Sequence, residues 1–101
     1  MSSVVTKKAI KRLKNIHQLS KKYNGPSKKK HVKKLLRLVE KHIDEILLLY
    51  KKNDSHYLVE TGDLLILCFE VLMENKRDVH KMLELCFTRY EDKLNQLIKE
   101  R

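Results

Sequence analysis

The sequence predicts an all-α protein, an antiparallel bundle of four principal helices. Three observations carry this. Only 2 Gly and 1 Pro occur in 101 residues, far fewer turn signals than a sheet protein of this size needs. Apolar residues recur at i, i+3, i+4 spacing along most of the chain. The hydrophobic content of 42% excludes disordered and low-complexity classes. Trp is absent and aromatics make up 6%, so the expected core is aliphatic. The length fits a single helical domain over residues 1–101.

Residues 1–5 are expected to fray. The first helix is predicted over about residues 6–23, with Ile10, Leu13, Ile16 (or His17) and Leu19 (or Ser20) forming a narrow stripe. Asn24-Gly25-Pro26 ends it, because Gly favours a left-handed cap and Pro cannot continue the helix. Ser27 is the expected N-cap of a second helix over about 28–52. Lys28, Lys29 and Lys30 crowd the positive end of its dipole, a local conflict. From Ile46 to Tyr50 this helix is apolar nearly all round, which implies a partner surface. A third helix over about 56–75, capped by Asp54 or Ser55, is the most apolar and should sit centrally. The fourth, over about 79–98, takes Asp78 as its cap. Short connections between long helices favour antiparallel neighbours, and the surplus of apolar surface points to a homodimer or homotetramer through the second and third helices.

Charge is divided along the chain. Residues 1–39 hold 13 Lys or Arg and no acid, whereas residues 40–101 are net −3, giving +10 in all. Such a front attracts polyanions; a plain solvated surface is the other reading. Cys68 and Cys86 lie in apolar stretches without metal-ligand spacing and are expected as buried free thiols. No secretory h-region opens the chain, and the longest apolar run, residues 64–69, is too short to span a bilayer. A cytoplasmic protein without a membrane partner is expected.

Acids inside apolar helices are the most informative feature. Glu60 and Asp63, spaced i, i+3, stand on one helix face. Glu45 lies about as far before the turn near residue 53 as Glu60 lies after it. In an antiparallel pair the three carboxylates would converge, and a hard divalent cation is the natural remedy for their repulsion. Each acid also has a structural reading: Glu60 favours the helix dipole from the first turn, and Asp63 bridges to a lysine.

The block Glu60-Thr61-Gly62-Asp63-Leu64-Leu65, reached from Asp44-Glu45-Ile46 through Lys51-Lys52-Asn53-Asp54, resembles the core of the MazG-type all-α nucleoside triphosphate pyrophosphohydrolases. That family carries Glu-Glu-x-x-Glu on one helix, a turn, then Glu-x-x-Asp and aliphatics on the next. The resemblance covers about residues 26–93, within a core domain of 26–101 that follows the basic segment 6–25. It implies hydrolysis of a nucleoside triphosphate to the monophosphate and pyrophosphate with Mg²⁺ or Mn²⁺. Glu45, Glu60 and Asp63, with His42, would hold the metal and carry catalysis. Arg89 and Lys41 would offset phosphate charge.

Two departures qualify what is implied. Lys41 and His42 stand where the family has two glutamates, and Cys86 where a Lys is frequent. Imidazole suits Mn²⁺ or Zn²⁺ better than Mg²⁺. A relative with altered or lost catalysis therefore stays open beside an active one. The competing class is a non-enzymatic protein that binds nucleic acid through Lys7, Lys8, Lys11, Arg12, Lys28, Lys29, Lys30, Lys33 and Lys34. Such contacts read charge and shape, with steep salt dependence. Few aromatics lie among these residues, so stacking is poorly supported.

Overall fold

The computed structural model describes residues 5–101 and is helical throughout, with no strand among them. Helix α1 spans Lys7–Asn24, α2 Lys28–Lys51, α3 Tyr57–Glu74 and α4 Val79–Lys99. Residues 1–4, within the segment expected to fray, lie outside the described residues. Val5 is tied down: its N–H donates to Nδ1 of His80 at 3.1 Å.

Local chemistry sets the boundaries. Thr6, Ser27 and Asp78 each accept a backbone N–H of the first turn, from Ala9, Lys30 and Lys81 respectively. Gly25 ends α1 at φ 90°, and its N–H reaches the carbonyl of Lys21. The start of α3 departs from expectation. Neither Asp54 nor Ser55 caps the helix; His56 occupies the cap position without a side-chain bond. The Oδ1 of Asp54 instead accepts the N–H of His56, two residues on, and so closes the turn rather than the helix end. Asn53 and Lys76 take positive φ of 58° and 56° in the two later connectors.

Helix α3 touches all three others, as its apolar character requires. Helices α1, α2 and α3 pack together, and Leu13, Leu35 and Leu67 supply their buried apolar side chains. Helix α4 shares only its first turn with this core, through buried Val79, and adjoins α3 alone. Every residue from 84 to 101 is exposed.

The interior is polar to an unusual degree. Of seven buried residues among those described, His31, Glu70 and Glu74 are ionisable. Leu47, Leu48, Tyr50, Leu58 and Val59, around the α2–α3 turn, are all more than half exposed. Cys68 and Cys86 are free, as expected, but both are exposed rather than buried. Partial burial still pushes the Cys68 thiol above its ordinary pKa, so it is a poor thiolate.

Candidate metal centre

Three side chains from α2 and α3 converge. His42, Glu60 and Asp63 each offer a ligand atom, and these atoms lie within 4.8 Å of one another. Helix spacing explains the α3 half, because residues 60 and 63 lie one turn apart on one face. The side chains of His42 and Glu60 are 20% and 15% exposed, whereas Asp63 is open to solvent. A partly dry site with one wet edge suits an ion that must also meet a ligand from solution.

The tautomer of His42 is fixed by its own helix. Nδ1 lies 2.8 Å from the carbonyl oxygen of Leu38, which can only accept, so Nδ1 carries the proton. Nε2 then faces Oε2 of Glu60 at 3.5 Å. With a neutral ring, a lone pair would point at a carboxylate. The arrangement is favourable when Nε2 is protonated or when a cation lies between the two groups. His56 brings its Nε2 to 3.5 Å from the other Glu60 oxygen. Each oxygen of Glu60 thus has an imidazole nitrogen beside it.

Glu45 lies half-buried on α2, outside the group of three. It stands one turn from His42, on the same side of the helix. Lys41 is exposed beside His42. Arg89 lies on the exposed length of α4, and no contact joins α4 to α2. Comparison with protein-family models, with curated proteins and with solved structures finds no match. The donor set itself therefore has to say which ion it suits. Two carboxylates and an imidazole make a mixed oxygen and nitrogen set. Mg²⁺ strongly prefers oxygen, whereas Mn²⁺ and Zn²⁺ accept imidazole.

A second cluster escaped the sequence reading. Nε2 of His17 and Nδ1 of His31 each lie 3.0 Å from Oε2 of Glu74, and Lys21 Nζ stands 3.8 Å from Oε1. The other ring nitrogen of His31 meets Ser20 Oγ at 2.9 Å. The two imidazoles stack with centroids 5.6 Å apart. Glu70 adds a second buried carboxylate, 4.0 Å from His17 Nδ1. The sequence did hold a signal: Glu70 and Glu74, four apart, interrupt the most apolar helix. This cluster fastens α1 and α2 to α3.

All nine basic residues expected to meet nucleic acid, Lys7 through Lys34, are exposed. Among the described residues, Lys21 is the one Lys or Arg with a carboxylate within 4.0 Å.

Proposed function

We propose that the protein is a MazG-like, metal-dependent nucleotide pyrophosphohydrolase whose ion is held by His42, Glu60 and Asp63. The single observation that carries this is the approach of those three ligand atoms to within 4.8 Å of one another. An antiparallel α2–α3 hairpin accounts for it. Tyr50 meets Tyr57, His42 meets Glu60 and His31 meets Glu74, so partners recede from the turn in step on both helices.

The bound ion would act as a Lewis acid on a phosphoryl oxygen and lower the pKa of a bound water. Glu60 and Asp63 would hold it by carboxylate oxygens and His42 by its free ring nitrogen, with Leu38 keeping the ring in the tautomer that leaves Nε2 available. Glu45, one turn along, offers a carboxylate to take a proton from water. Lys41 offsets phosphate charge at the exposed rim. Arg89 does not enter the reading. The imidazole makes Mn²⁺ the better ion and Mg²⁺ the poorer one. A cytoplasmic setting and assembly as a homodimer or homotetramer accompany this reading.

The test is pyrophosphate release from a panel of nucleoside triphosphates. Turnover is expected with Mn²⁺ above that with Mg²⁺, and it should be lost in Glu60→Gln and in His42→Ala. Absence of turnover with either ion across the panel overturns the proposal.

A further inference from the structure

We propose that the outer face of α1, continued onto the start of α2, binds single-stranded nucleic acid along its phosphate backbone, with Tyr23 as a stacking platform. This reading uses none of the residues of the metal centre and stands or falls separately from it.

The first observation is charge left uncompensated. Residues 1–39 carry 13 Lys or Arg and no acid. The fold brings a carboxylate only to Lys21 among these cations. A self-contained surface would place some acids of residues 40–101 against this face. Here three of the four acids of α3, Glu60, Glu70 and Glu74, lie against imidazoles instead, and most of α4 stands away from the core.

The second observation is continuity. Shallow grooves follow one another along α1. One is lined by Lys7, Ile10, Lys11, Lys14 and His80. The next shares Lys11 and Lys14 and adds Arg12, Asn15 and Gln18. A third continues from Gln18 to Lys21 and Lys22. From Lys7 to Lys22 the helix advances about 22 Å, the length of about six phosphates of one strand, of which Lys7, Lys11, Lys14, Lys21 and Lys22 can neutralise about five. Amides between the lysines supply donors and acceptors of the kind that sugar and phosphate groups meet.

The third observation selects an unpaired strand. Tyr23, in the last turn of α1 and to one side of these grooves, is 84% exposed and turns toward the start of α2. Its ring carries Lys34 Nζ from α2 at 5.7 Å from the centroid. An aromatic face held open beside a cation is what a splayed base stacks on. A duplex hides its base faces and gains nothing from this ring. The sequence alone does not reveal the platform, because Tyr23 and Lys34 meet only across the Gly25 turn.

The experiment measures anisotropy of a labelled 20-nucleotide oligothymidine with the full chain, against a duplex of equal length and against anionic phosphatidylserine vesicles. Binding at low salt is expected, weakening about a hundredfold between 50 and 200 mM salt if about five phosphates are neutralised. Tyr23→Ala should weaken the single strand by about tenfold and leave the duplex unchanged. Lys11→Glu with Lys14→Glu should weaken both; circular dichroism checks that these surface variants stay folded. No binding at 50 mM salt overturns the proposal. So does single-strand binding that Tyr23→Ala leaves intact, or vesicle binding as tight as that of the oligonucleotide, which would make the face a general anion surface.

Discussion

Nδ1 of His31 and Oε2 of Glu74 stand 3.0 Å apart in the interior, and solvent reaches almost none of either side chain. The same oxygen takes Nε2 of His17 from α1, so one carboxylate ties three helices together. Removing a partner from such a group leaves the others buried and uncompensated. Glu74→Ala should therefore cost about 3 kcal/mol, read as a lowered urea midpoint at unchanged slope. Lys21→Ala, which takes away a half-exposed partner of the same carboxylate, should cost less than about 1 kcal/mol. Equal effects of the two would show that the buried imidazoles contribute nothing.

Much of the fold is legible in the sequence because its determinants are local. Ser27, Gly25 and Asp78 act within four residues of themselves, and they bound the helices as the pattern predicts. The α2–α3 turn misleads at one point, since Asp54 spends its oxygen on the turn rather than on a cap. The candidate site is legible in type and less so in membership. Glu60 and Asp63 share a face by helix spacing alone, but the group that meets them across the turn is His42, and register across two helices is not a local property. The Glu74 cluster is the least legible part. An acid in an apolar helix looks the same whether its partner is a metal or a histidine 43 positions away.

The metal preference has its own test, independent of turnover. His42 supplies the nitrogen donor of the candidate centre. Isothermal titration should show Mn²⁺ binding more tightly than Mg²⁺ to the full chain. His42→Asp replaces that nitrogen with oxygen and should bring the two affinities together by weakening Mn²⁺ relative to Mg²⁺. A preference for Mg²⁺ in the unaltered chain would exclude His42 as a ligand.

Asp78 makes the start of α4 sensitive to acid. Its carboxylate accepts the N–H of Lys81 at 3.1 Å, and this bond, first among the causes, holds its pKa below the ordinary 3.8. A lowered pKa in the folded state means that the unfolded chain binds the proton more readily. The stabilisation is thus present above the ordinary value and fades as pH falls through the folded one. The protection of the Lys81 amide, measured against its intrinsic exchange rate at each pH, should fall on acidification across that window. Asp78→Asn, which still offers an oxygen to the cap, should flatten the dependence. An unchanged acid response in Asp78→Asn would place the sensitivity elsewhere.

The outer length of α4 should be covered by a second copy of the chain. Leu83, Phe87, Tyr90, Leu94 and Leu97 alternate by four and three residues, the spacing of a coiled-coil seam. The last four are each 45% exposed or more. A single chain of 101 residues buries only four apolar side chains among those described, few for its size, and leaves much apolar surface for a partner to cover. Light scattering should give a mass of at least twice 12.1 kDa. Leu94→Glu places a charge in the seam and should lower the assembly state. If α4 carries the interface, the far-ultraviolet signal of α1–α3 should persist while that of α4 declines, since an isolated helix of this length is marginal in water. A monodisperse, fully helical monomer before any substitution would contradict this, and an oligomer indifferent to Leu94→Glu would move the interface to Leu47, Leu48 and Tyr50 on α2.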